Sequence, residues 1–220
     1  MHPNVLEYHI SKVYELLFLT TLFCGMGMFV NYYYQSVALA FGGMIGIFTM
    51  IFIMACADKH KLNENRHGYT LPFGFLMGLT LSPLVSIANL QDETIVPIAG
   101  LATCVLFLGF TFISKFIKSE LHALGFALFA CLNALALFGI MNLIFGFGEV
   151  FEYAYLGSGL IVFSLLVAYD TEDMKQRFRN GDINYVTATI NLFLDVANLF
   201  VKFVRLLMML KKSKSSASRR

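Results

Sequence analysis

The sequence predicts an all-α fold: a polytopic bundle of seven membrane helices, the last one central and enclosed by the other six. Three observations predict it. Apolar residues make up 58% of the 220 and charged residues 14%, against roughly 25% charged in soluble domains. The apolar residues fall in blocks of about twenty, the length that spans a hydrocarbon core. The final block carries a polar stripe: Thr187, Asn191, Asp195, Asn198, Lys202 and Arg205 follow at steps of three or four, which puts all six on one helix face. An acid at mid-depth of a bilayer costs about 2.5–3.5 kcal/mol on the lenient insertion scale. That face must be shielded from lipid by other helices, around a polar path or a buried ion-pair network.

The first block runs Val13–Tyr34 and is long enough to remain as an anchor, with no short signal-like core or small-residue cleavage site. Val37–Ala57 follows, with Gly42-x-x-x-Gly46 for close helix approach. The third block, Tyr69–Asn89, contains Gly74-x-x-x-Gly78, then Pro83, which removes a backbone donor and kinks the helix. Blocks four to six are Thr94–Ser114, Leu121–Phe145 and Tyr153–Tyr169, and the striped seventh is Thr187–Leu210. The connectors are too short to hold a soluble domain, so residues 1–210 form one membrane domain. Residues 211–220 are a basic, disordered tail.

Charge alternates along the connectors. Lys59, Lys61 and Arg66 follow block two, Lys115 and Lys118 block four, and Lys175, Arg177 and Arg179 block six. The segments 31–36, 90–93 and 146–152 have no Lys or Arg, and the last two carry Asp92, Glu93, Glu149 and Glu152. The positive-inside rule puts the N-terminus and the basic connectors in the cytosol. The tail breaks the pattern. Lys211, Lys212, Lys214, Arg219 and Arg220 lie outside if block seven crosses, and inside if it re-enters. A full seventh helix is the reading adopted, with the side of the tail open. The net charge of +2 sits in this tail and does not point to nucleic acid.

Cys24, Cys56, Cys104 and Cys131 lie within apolar blocks without metal or redox spacing and read as structural thiols. His60, His67 and His122 fall in cytosolic connectors, where exposed histidine is the ordinary case. Asp170 ends block six on its cytosolic side, and Asp195 is the sole acid inside block seven. Asp195 lies eight residues into its block, about 12 Å along the helix axis, within reach of the end of a neighbouring helix. Two carboxylates in a poorly solvated space cannot both ionise cheaply, so the pair shares a proton. Such a pair is a pH sensor, a cation site, or both. Lys202 and Arg205 snorkel toward the surface or pair with Glu149 or Glu152.

Several segments together resemble the Bax inhibitor-1 family of transmembrane Bax inhibitor motif proteins. They are Ser11-Lys-Val-Tyr14, the run Gly74 to Leu84, Tyr169-Asp-Thr-Glu172, Gly181-Asp-Ile-Asn-Tyr185 and Asn191-Leu-Phe-Leu-Asp195. The resemblance runs from about Glu7 to Leu210 and is most specific in its last part. With its lysine-rich tail the chain looks similar to the eukaryotic endoplasmic-reticulum branch.

The resemblance implies six helices around a central last one. It also implies a pH-sensitive calcium leak of the endoplasmic-reticulum membrane that lowers luminal calcium and opposes cell death, gated by Asp170 and Asp195. Calcium enters as a transported ion, with no resident metal or cofactor; protons, the lipid bilayer and cell-death or stress-regulating proteins are the implied partners. Two departures stand out. Asn191 occupies a position where animal relatives carry an acid, and no arginine matches the helix-two latch of bacterial relatives. Lys59, His60 or Lys61 substitute for that latch loosely, because neither an ammonium nor an imidazolium has the guanidinium fork.

The chain is not expected to be an enzyme. Tyr169-Asp170 and Asp195 imitate the aspartates of intramembrane proteases, but the glycine-flanked second aspartate and the Pro-Ala-Leu of those enzymes are missing. Two rival functions stay open: a non-conducting regulator that binds cell-death or stress-sensor proteins through its helices or its tail, with the aspartates structural, and a cation/proton exchanger that shares the same site.

Overall fold

The computed structural model describes residues 3–116 and 121–217, so Lys118, Arg219 and Arg220 of the charge pattern lie outside the described residues. Eight α-helices are found among them and no strand: α1 (Pro3–Tyr34), α2 (Val37–Cys56), α3 (Lys59–Glu64), α4 (Arg66–Gln91), α5 (Ile95–Ile113, continued by a 3₁₀ turn), α6 (Leu121–Phe145), α7 (Glu149–Arg179) and α8 (Tyr185–Ala217). Each predicted block maps onto one helix; α1, α4, α7 and α8 outrun their blocks, whereas Ala57 and Thr94 fall just beyond the ends of α2 and α5. Hydropathy marks only the part suited to lipid, whereas a helix continues into water until a cap stops it. Thus α7 begins at Glu149 rather than Tyr153. Helix α8 continues past Leu210, where the sequence starts the tail, through Ala217. Six residues of α3 were too few and too polar to register as a helix.

Six helices, α1, α2, α4, α5, α6 and α7, are long and apolar enough to cross a membrane, and the chain is a multi-pass membrane protein. Helix α8, which carries the polar stripe, is not among these six. At 33 residues it is about 50 Å long, ample for a crossing.

The chain divides into two compact units. The first comprises residues 1–90 and 174–194, the second 91–173 and 195–220, so α7 and α8 each contribute to both. In the first unit, α1 and α4 meet through glycine. A Cβ on Gly27 would run into the Phe75 carbonyl, one on Gly74 into that of Thr20, and one on Gly78 into that of Cys24. Asn31 Nδ2 donates to the Leu79 carbonyl at 3.0 Å. Helix α2 rests on α4 through Gly43 and Gly46, which face Leu76, while Gly42 faces open space. Of the predicted Gly42–Gly46 motif, Gly46 makes the contact, and Gly43 takes the place of Gly42. Helix α4 passes without a break through Pro72 and Pro83.

The turn from α7 to α8 is closely specified. Gly181 has φ +83°, its N–H reaches the Phe178 carbonyl, and the Asp182 N–H reaches that of Arg177. This is a Schellman stop, which needs the left-handed conformation that glycine adopts most readily. Asn184 then caps α8, its Oδ1 accepting from the Thr187 N–H at 3.0 Å. Asn63 of α3 accepts from the Tyr185 N–H and donates to the Ile183 carbonyl. Lys59 pairs with Asp182 at 2.8 Å. The Gly181–Tyr185 motif thus anchors the start of α8 to α3.

In the second unit a core of Leu128 from α6, Phe163, Leu166 and Val167 from α7, and Leu199 from α8 is packed by Leu106, Phe107 and Phe110 of α5. From Val186 to Val204 no residue of α8 is exposed. In α6 the buried residues are Leu121 and Leu128 alone.

Candidate functional site

The site is a polar seam between α7 and α8 in the second unit. The helices run antiparallel, and the stripe residues of α8 meet polar residues of α7 in sequence. At one end Asp195, 5% exposed, shares a side-chain hydrogen bond with the half-buried Asp170. A hydrogen bond between two carboxyl groups requires a proton on one of them, since ionised carboxylates only accept. The second oxygen of Asp195, Oδ2, is buried without a hydrogen-bond partner, a condition that costs about 1–3 kcal/mol or more. Glu172, two residues beyond Asp170, is also buried.

One turn after Asp195 comes Leu199, fully buried against Phe163, Leu166 and Val167, which makes an apolar layer directly beyond the aspartates. Lys202 follows. It is 5% exposed, with Nζ 3.4 Å from the Tyr155 ring centroid. Gly159 leaves the hollow it occupies, since a Cβ there would lie 2.8 Å from the lysine Cε. Arg205 is next, 3.8 Å from Glu152. At the carboxyl end Lys211 pairs with Asp92 and bonds Thr94, and Gln91 Nε2 donates to the Met208 carbonyl at 2.7 Å. Hydrogen bonds from Lys211, then from the Thr94 hydroxyl and amide, hold the Asp92 carboxyl well below the usual carboxylate range.

Of the residues singled out in the sequence, the structure brings Asp170 to Asp195 and Arg205 to Glu152. Asn191 and Asn198 lie half-buried on the same face. The latch candidates belong to the first unit: Lys59 holds Asp182, His60 lies 3.7 Å from Glu64, and Lys61 is exposed. Arg66 places its guanidinium over the Tyr185 ring, 5.5 Å from the centroid. Sequence reasoning missed Tyr155 and Gly159, which look like any other residues of an apolar block. It also missed His9, which hydrogen-bonds Tyr185 and packs edge-on to Phe178. The one signal available for Tyr155 was the need of a buried Lys202 for a partner.

The family described as "Inhibitor of apoptosis-promoting Bax1" matches residues 6–212. Bax inhibitor 1 of Bos taurus is 29% identical over 94% of this chain and 89% of its own. The Homo sapiens protein of that name is 29% identical, over 94% and 88%. The Golgi anti-apoptotic protein of Vaccinia virus (strain Lister) is 31% identical, over 90% and 84%. With a match that runs through every helix and includes the aspartate seam, the chain belongs to the Bax inhibitor family.

Proposed function

We propose that this protein is a pH-sensitive calcium leak of the endoplasmic-reticulum membrane that lowers luminal calcium and restrains apoptosis, with Asp170 and Asp195 as its proton-sharing gate. One observation carries the reading: Asp195 is buried, hydrogen-bonded to a second carboxyl, and has a free oxygen aimed at no protein donor. With the proton shared, the pair binds itself. When the proton leaves, two anionic groups repel and offer oxygens to a cation, the hard ligands calcium prefers. The basic connectors put the N-terminus in the cytosol. In this reading the end of α8, whose Lys211 and Arg205 contact Asp92 and Glu152, lies with the acidic connectors on the luminal side. A leak there empties the store, so less calcium reaches mitochondria under stress.

The test is calcium entry into liposomes that carry the purified protein, measured against pH. Asp170→Asn and Asp195→Asn should each flatten the pH profile; a profile unchanged in both removes the pair as gate. In cells, overexpression should reduce the calcium released by a pump inhibitor and delay apoptosis. Co-localisation with compartment markers decides between the endoplasmic reticulum and the Golgi, the compartment in the vaccinia relative's name. A second reading, a non-conducting regulator that binds cell-death proteins, is favoured by the apolar layer of Phe163, Leu166 and Leu199 that closes the seam. Delayed death with a normal store would select it.

A further inference from the structure

Among the described residues Lys202 is the only buried cation, and the aspartate gate leaves it without a role. It sits seven residues after Asp195 on the same face, about 10 Å along α8. Between them lies the apolar layer around Leu199. Among the described residues no carboxylate comes within ion-pair distance of its ammonium, since Glu152, the acid next along the seam, is engaged by Arg205. The Tyr155 ring face, 3.4 Å away, stabilises the cation without cancelling its charge. Gly159 is the cavity that admits the lysine end, because any side chain there would meet Cε.

We propose that Lys202, seated on Tyr155 in the hollow at Gly159, is a charge barrier against divalent cations in the α7–α8 seam. The proposal rests on the leak reading and assigns its selectivity. A calcium ion leaving the lumen meets the fixed positive charge first and then the apolar layer around Leu199, before it reaches the aspartates. Charged side chains along a pore set which ions pass. Coulomb repulsion doubles from a monovalent to a divalent ion at equal distance, so the barrier holds back calcium more than potassium. Calcium passes when Lys202 leaves the ring.

The experiment measures calcium and potassium flux in parallel, in liposomes carrying the full chain. Lys202→Met keeps length and apolar bulk while removing the charge. It should raise calcium flux by about tenfold or more, and raise potassium flux less. Lys202→Arg should stay near wild type in both. Tyr155→Leu, which removes the seat but not the charge, should raise calcium flux by a smaller factor, whereas Tyr155→Phe retains the ring and the barrier. An equal rise of both ions in Lys202→Met would mean loosened packing and would overturn the charge assignment. Unchanged calcium flux in Lys202→Met, with Asp195→Asn still altering the leak, rejects the barrier and keeps the gate. Wild-type flux no greater than empty liposomes and insensitive to Asp195→Asn rejects both. Should Lys202→Met fail to assemble, a Tyr155→Leu calcium-to-potassium ratio equal to wild type is enough to reject the barrier.

Discussion

The α1–α4 joint and the α7–α8 seam bind helices in opposite ways. At α1–α4, Gly27, Gly74 and Gly78 let backbone meet backbone, and Asn31 adds a hydrogen bond to the Leu79 carbonyl. At α7–α8, Asp195, Lys202 and Arg205 meet Asp170, Tyr155 and Glu152. Inside a bilayer apolar helices gain nothing by hiding from lipid, so close packing does the joining and small residues do it best. The glycine joint follows that rule. The polar seam departs from it, at the cost of burying charges that apolar side chains could replace. On the proposed reading what is gained there is chemistry rather than cohesion, so changes at the two places should fail differently.

The largest expected loss of stability is at the glycine joint. Gly78→Ala drives a methyl into the Cys24 carbonyl, a backbone atom that cannot step aside. It should cost about 1–3 kcal/mol, as overpacking does, seen as a lower thermal midpoint in detergent. A midpoint equal to wild type would show that the joint is looser than its geometry. Next is Asp195→Asn. The amide keeps the shape and can donate to Asp170, so stability should remain within about 1 kcal/mol of wild type while the pH response of the leak is lost. Severe unfolding with an unchanged leak would make the seam structural and erase the contrast.

A double-mutant cycle on Arg205→Gln and Glu152→Gln should return a coupling of about 0.2–1 kcal/mol, the value of a partly exposed pair. A larger value would make the seam an adhesive after all. The smallest expected effect concerns pH at the carboxyl end of α8. Asp92 is held below its ordinary value of 3.8, first by Lys211. Its contribution is therefore complete above that value and is lost only as pH falls through the lower, folded one. Amide exchange around Met208, corrected for intrinsic rates, should be flat between about pH 5 and 8 and should rise in Asp92→Asn. A pH-dependent opening there in wild type would show that groups other than the Asp170–Asp195 pair respond in that range.

Much of the seam was legible because α8 had to solve a solvation problem. Six polar residues at helical spacing in an apolar block identify a shielded face, and Asp195 without Asp170 would be an uncompensated acid. Tyr155 could not be read in the same way. An aromatic residue in an apolar block suits lipid, core and cation equally, and only the packing of α7 on α8 decides. Helix ends were poorly legible where they leave the bilayer, as at Glu149 and Ala217, because hydropathy falls while hydrogen bonding continues. The course of α8 was ambiguous for another reason: the basic tail argues for the cytosol, and the contacts that counter it, Lys211 with Asp92 and Gln91 with Met208, join residues more than a hundred positions apart.

Those contacts also restrict how the protein can move. Helix α8 is pinned at its start by Asn63 and at its end by Asp92 and Gln91. Sliding it by one helical turn, about 5.4 Å, would break every pin at once, as forcing a bolt held at both ends would. Swinging Lys202 off its ring, or parting the two carboxyl groups, breaks none of them. Cargo would therefore pass a helix that stays still, and the moving parts would be the side chains it carries.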